Sequence, residues 1–122
     1  MKTRLLLVDD EVEFVTTLAE RLELRGIQAQ VATDGEAALN LIETDPPQIV
    51  ILDVMMPGIG GLEVLKRIKA QGLQMPVILL TGRGSTKEGI TGMQLGAVDY
   101  LMKPLDIDEL IKKMHDTIQR QS

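Results

Sequence analysis

The sequence predicts a single α/β domain: a doubly wound, flavodoxin-like parallel sheet of five strands with helices on both faces. Short, continuous apolar runs alternate with longer segments of helical spacing. No linker, internal repeat or low-complexity tract interrupts them. The length, 122 residues, matches one domain. Runs that are apolar at every position suit strands buried on both faces. Strict alternation of strand and helix implies parallel pairing, with helices packed on either side of the sheet.

The first run is Leu5 to Val8, and the helix after it carries the stripe Val15, Leu18, Ala19 and Leu22, with Gly26 where a stop is expected. After the second run, Ala29 to Ala32, Asp34 is a suitable N-cap for a helix that ends near Thr44, before Asp45-Pro46-Pro47. Leu41 and Ile42 lie on its apolar side. The third run, Ile49 to Leu52, precedes a helix with Gly60 as its cap, Leu65 and Ile68 facing inward and Gly72 as its stop. The fourth run, Val77 to Leu80, precedes a helix from about Thr86 to Leu95, with Ile90 and Met93 on its inner side. The fifth, Tyr100 to Met102, precedes a helix with the stripe Ile107, Leu110, Ile111, Met114 and Ile118. Asp106, with Glu109 three residues on, is a capping-box-like start for it. The fourth helix holds Gly89 and Gly92 inside it, each costing about 1 kcal/mol relative to Ala. Such glycines serve tight packing or leave a helix marginal and easily displaced, and the expectation here is the second. The Met residues are expected to fill gaps in the core or at its margins. His115 is expected as a solvated helix residue.

Composition excludes several functions. The chain has no Cys, so it holds neither a disulfide framework nor a thiolate metal site. Its net charge of −5 argues against nucleic acid or an anionic membrane as direct ligand. Phe14 and Tyr100 are its only aromatics, too few for a base-stacking platform. The apolar run after Lys2 and Arg4 is too short for a signal peptide or a membrane span, and a cytoplasmic location is expected.

In a parallel α/β sheet the residues just past each strand gather at one edge, where ligands bind. Asp9 and Asp10 follow the first run, Asp53 ends the third, Thr81 ends the fourth with small Gly82 after it, and Lys103 and Pro104 follow the fifth. The second offers only Thr33 and Asp34, as an outer strand in the order 2-1-3-4-5 would. Three carboxylates against one ammonium leave a charge of −2, which a divalent cation would cancel. Carboxylate oxygens favour a hard ion, most simply Mg²⁺, whose open positions can take phosphoryl oxygens. Asp53 is the candidate nucleophile, since a carboxylate can accept a phosphoryl group as an acyl phosphate. Lys103 and the cation would offset charge on the transferring group, and Thr81 would hydrogen-bond the product. Taken singly, each residue also has a plain structural use. An Asp pair can start a solvated helix, a lone Asp can cap a turn, and Tyr100 can be a core aromatic.

Four segments together carry a resemblance. They are Leu6-Leu7-Val8-Asp9-Asp10-Glu11, Ile51-Leu52-Asp53-Val54-Met55-Met56-Pro57-Gly58, Leu80-Thr81-Gly82, and Gly96-Ala97-Val98-Asp99-Tyr100-Leu101-Met102-Lys103-Pro104. In their order and spacing the chain resembles the receiver domain of bacterial two-component response regulators over nearly its whole length. The resemblance implies that Asp53 takes phosphate from a phosphohistidine on a histidine kinase or phosphotransfer protein. It implies Mg²⁺ on Asp10, Asp53 and the backbone carbonyl of Met55, with Asp9 acting through a metal-bound water. Lys103 would contact the phosphoryl group, and its bond to Pro104 would be cis. Thr81 would move toward the phosphate and Tyr100 turn inward behind it. That shift would alter the face made by the fourth helix, fifth strand and fifth helix, with a downstream output domain or effector protein, or a homodimer partner, reading it.

Some positions depart from the family pattern. Gly60 stands where Asp is common, Leu105 replaces a frequent Phe, and Met55 and Arg83 occupy two positions that tend to tune phosphate lifetime. The domain is expected to span residues 1–122, with no output domain in this chain. It is read as a phosphoacceptor that assists its own phosphorylation and dephosphorylation, rather than as an enzyme with turnover. Three other readings compete. A Mg²⁺-dependent phosphohydrolase with an Asp nucleophile would carry a second Asp where Met55 stands. A flavodoxin-like nucleotide binder would need a phosphate-cradling loop in place of Asp9-Asp10-Glu11. A scaffold that never sees phosphate would not need Asp53, Thr81 and Lys103 intact.

Overall fold

The computed structural model describes residues 2–82 and 84–121. Arg83, one of the positions singled out above, lies outside them. The elements in chain order are β1 (Thr3–Val8), α1 (Val12–Leu24), β2 (Ile27–Ala32), α2 (Gly35–Thr44), β3 (Ile49–Asp53), α3 (Gly61–Ala70), β4 (Val77–Thr81), α4 (Thr86–Gln94), β5 (Asp99–Met102) and α5 (Ile107–Arg120). All strands pair in parallel, in the order β2-β1-β3-β4-β5. Among the described residues no helix is long and apolar enough to cross a membrane.

Period-two alternation along the strands sorts their side chains into two cores. Leu5 and Leu7 of β1, Ile49 and Ile51 of β3, Ile78 and Leu80 of β4 and Leu101 of β5 join Val15, Leu18 and Leu22 of α1 and Leu110 and Met114 of α5. The intervening residues Leu6, Val8, Val50, Leu52, Val77 and Leu79 face the other way, onto Ala38 and Ile42 of α2 and Val64, Leu65 and Ile68 of α3. Fully burying each such side chain is worth about 1.5–3 kcal/mol. The continuous apolar runs are therefore two interleaved alternating patterns, one for each layer of helices.

The punctuation works as its residue types dictate. Asp34 accepts from the N–H of Ala37 at 2.8 Å, and Asp106 accepts from those of Asp108 and Glu109. Gly26 and Gly72 follow their helices with φ of +80° and +72°. Strands run further than the apolar runs alone indicate. β1 and β2 begin earlier, at Thr3 and Ile27, and β5 at Asp99, while β3 and β4 end at Asp53 and Thr81 as expected.

The fourth helix departs from expectation. Ile90 and Met93 are 58% and 38% exposed, not core-facing. The face that α4 turns to the sheet is Gly89 and Gly92. A Cβ at Gly92 would collide with Leu79 Cδ1, and one at Gly89 would lie 3.1 Å from Thr81 Cγ2. The glycines thus let a helix backbone settle directly on β4, the packing alternative to a marginal helix. The Met expectation also needs correction. Met56 and Met114 are buried, but Met55, Met93 and Met102 face solvent. On α5, Ile111 and Ile118 are only partly buried, and Thr117 takes a fully buried place. His115 is exposed, as a solvated helix residue.

Candidate functional site

The C-terminal ends of β1, β3, β4 and β5 converge on one edge of the sheet. Parallel register places them there: Val8 pairs with Leu52, Asp53 with Leu80, and Thr81 with Met102. Asp9, Asp53 and Thr81 are nearly inaccessible to solvent. Asp10 is half-buried.

Among the described residues, Asp9, Asp10 and Asp53 bring one carboxylate oxygen each within 4.8 Å of one another. Asp53 Oδ1 accepts from the backbone N–H of Met55 at 3.3 Å, and Asp9 Oδ1 accepts from that of Glu11 at 2.9 Å. Asp9 Oδ2 is buried without an aligned hydrogen-bond donor. It sits 2.8 Å from Lys103 Nζ, as an ion pair. Three carboxylates gathered this closely, two of them on nearly inaccessible side chains, are an environment that a hard divalent cation fits.

Electrostatics follow from this crowding. Burial, with Asp9 close by, raises the Asp53 pKa from 3.8 to about 6; Lys103 and the Met55 N–H pull against that, and Asp10 adds to it. For Lys103, burial works to lower the pKa, but its contacts with Asp9 and Glu11 and the charge of Asp53 outweigh it, and the net shift is upward.

Lys103 has partners that sequence reasoning missed. Its Nζ lies 2.6 Å from Glu11 Oε1, closer than to Asp9, and 3.8 Å from Asp53 Oδ2. It also sits 4.8 Å from the centroid of the Phe14 ring, within cation–π range. Glu11 adjoins the Asp pair in sequence, so extending the charge count by one residue would have found it. Phe14 carried no such signal, because its contact with Lys103 exists only through the fold. The Lys103–Pro104 peptide is cis.

Thr81 does not face the carboxylates through a hydrogen bond; its Oγ1 donates to the Leu101 carbonyl at 3.4 Å. Tyr100 is 46% exposed, beside a cavity of about 120 Å³ lined by Thr81, Thr86, Gly89, Ile90 and Met102 as well as by Tyr100 itself. Gly61 opens α3 against the phosphoacceptor candidate, since a Cβ there would collide with the Asp53 carbonyl oxygen.

This arrangement agrees with comparisons to known proteins. The family model described as response regulator receiver domain matches residues 5–115. The response regulator MprA of Mycolicibacterium vanbaalenii is 40% identical over 120 residues, covering 98% of this chain and 52% of that protein. The chain thus spans about half the length of the curated relatives it matches. Among solved structures, a Francisella response regulator receiver domain superposes with a TM-score of 0.91 at 36% identity, covering 99% of this chain and all of the other. The receiver domain of NtrX from Brucella abortus gives a TM-score of 0.88 at 32% identity, covering 94% and 98%.

Proposed function

This chain belongs to the response regulator receiver domain family, and on that premise we propose that Asp53 is its phosphoacceptor. The observation that carries the proposal is a nearly inaccessible Asp53 carboxylate at the sheet edge, gathered with those of Asp9 and Asp10 and with the Lys103 ammonium 3.8 Å away. At neutral pH Asp53 is mostly ionised, so an oxygen lone pair is available for attack. The donor is a phosphohistidine on a histidine kinase or phosphotransfer protein. One Asp53 oxygen forms a bond to phosphorus as the phosphorus–nitrogen bond breaks. The bonding electrons leave with the imidazole, and the product is an aspartyl phosphate.

Asp9, Asp10, Asp53 and the backbone carbonyl of Met55 would hold Mg²⁺, which when bound would neutralise charge on the transferring phosphoryl oxygens. Lys103 supplies the protein's own positive charge to the same group. Thr81 exchanges the Leu101 carbonyl for a phosphoryl oxygen, and Tyr100 follows it inward. The face formed by α4, β5 and α5 thereby changes. An output domain, an effector protein or a second phosphorylated copy reads that change, in a cytoplasmic setting. A phosphohydrolase reading is disfavoured because the residue two after Asp53 is Met55, a solvent-facing thioether with no proton to exchange.

The test is incubation with acetyl phosphate and Mg²⁺, read by intact mass. A gain of one phosphoryl group, absent with EDTA and in Asp53→Asn, is expected. A protein that stays unmodified, or an Asp53→Asn variant modified equally, would refute the assignment.

A further inference from the structure

Glu11 occupies the N-cap position of α1, yet its side chain caps nothing. Ser, Thr, Asp and Asn favour that position because their short oxygens reach the first free N–H groups of the helix. The Glu11 carboxylate instead reaches Lys103, 92 residues away in sequence. Its own N–H is tied to Asp9 Oδ1, so the backbone of Glu11 and the carboxylate of Asp9 form one unit. Lys103 is seated against that unit, at 2.6 Å from Glu11 and 2.8 Å from Asp9, with the Phe14 ring as a further contact. Asp53, at 3.8 Å, lies beyond hydrogen-bond reach of the same ammonium.

From this geometry we infer that Glu11 is a positioning residue, which parks Lys103 away from Asp53 at rest and competes with the phosphoryl group for it. The inference rests on the assignment of Asp53 as phosphoacceptor and Lys103 as its cationic partner. To contact a phosphoryl oxygen on Asp53, the ammonium must give up part of its contact with Glu11. Deleting that contact removes a competitor without touching a group that meets the phosphate. The Glu11 side chain is 61% exposed, so the effect is modest. A solvent-screened ion pair of this kind corresponds to about a two- to fivefold change in an equilibrium constant.

Three variants separate contact from general charge. Glu11→Gln removes the charge. Glu11→Asp keeps the charge but shortens its reach. Glu13→Gln removes an equal charge from the first turn of α1, where no ion pair to Lys103 is formed. The probe is beryllium fluoride with Mg²⁺, a stable phosphoryl mimic. Its affinity is followed by the fluorescence of Tyr100, the sole tyrosine in a chain without tryptophan. The ¹⁵N signal of Lys103 Nζ is recorded in parallel.

Glu11→Gln and Glu11→Asp should both bind the mimic more tightly and shift the Lys103 Nζ signal of the unbound protein. Glu13→Gln should do neither. Unchanged or weaker binding in Glu11→Gln would overturn the inference. So would a Glu11→Asp variant that behaves as wild type while Glu13→Gln matches Glu11→Gln, because charge alone would then explain the result. A wild-type protein that takes up neither the mimic nor a phosphoryl group would bring down the underlying assignment, and the inference with it.

Discussion

Replacing Asp53 by Asn should make the metal-free protein more stable while abolishing its phosphorylation. Asn keeps the shape and the acceptor for the Met55 N–H, but removes the charge that burial and Asp9 oppose. Lys103 keeps its two nearer partners, Asp9 and Glu11. The folded-state pKa of about 6 stands above the ordinary 3.8, so the native protein holds this proton more tightly than the unfolded chain. Stability contributed by the group is therefore fully present below the lower value and is lost as pH rises through the window up to about 6. The gap of about 2 units corresponds to a penalty of about 3 kcal/mol at neutral pH, at about 1.36 kcal/mol per unit. For a domain of this size that is about 10 °C in melting temperature. The assay is urea or thermal unfolding of both proteins in EDTA across the acid range. The variant should be the more stable at neutral pH, and the two curves should converge as pH falls toward about 4. Parallel curves, or a variant less stable at neutral pH, would refute the picture of a strained carboxylate.

Mg²⁺ should stabilise the wild type through linkage, by about 2.7 kcal/mol at a hundredfold excess over its dissociation constant, and should stabilise Asp53→Asn less. Calorimetry with and without the ion checks this, and equal shifts in both proteins would place binding away from Asp53. Gly92→Ala should destabilise despite a helix-propensity gain of about 1 kcal/mol, because its Cβ meets the fully buried Leu79 side chain and overpacking costs about 1–3 kcal/mol. Gly89→Ala meets only the Thr81 methyl at 3.1 Å and should be close to neutral in stability. Denaturant midpoints of the two variants would expose an error in either.

The strand ends were legible because period and position carry the same message. A continuous apolar run marks a strand buried on both faces, and the first polar residue after it falls on the ligand edge. Asp9, Asp10, Asp53, Thr81 and Lys103 all lie where that rule puts them. The α4 residues failed the corresponding helix rule. Ile90 and Met93 have the spacing of a core stripe, but two glycines on the opposite face allow closer approach to β4 than any larger side chain would, and backbone packing took precedence over the apolar pattern. The partners of Lys103 were hidden for a different reason. A strand-end rule locates the ammonium, but cannot say which of four nearby carboxylates it prefers, because ångström-scale differences in reach decide that.

Those differences bear on how such a switch is held. Both groups proposed to contact the phosphoryl group on Asp53 are already engaged, but unequally. Thr81 donates a long 3.4 Å bond to the Leu101 carbonyl, near the limit of a useful hydrogen bond. Lys103 is held at 2.6 Å and 2.8 Å by two carboxylates and lies largely out of solvent. Exchanging partners therefore costs little at Thr81 and more at Lys103. A phosphoryl group on Asp53 would add negative charge to an edge that already carries an excess of it, and on the proposed reading the lysine would answer that charge from a seat it must partly leave. Thr81 would then be the readier of the two to shift, beside a cavity that Gly89 helps to line and a half-exposed Tyr100 at its wall. The proposed switch would thus be held mainly on the Lys103 side of the edge and released on the Thr81 side. On that reading, a residue that tightens or loosens the lysine would set how much phosphorylation must contribute before the α4–β5 face responds.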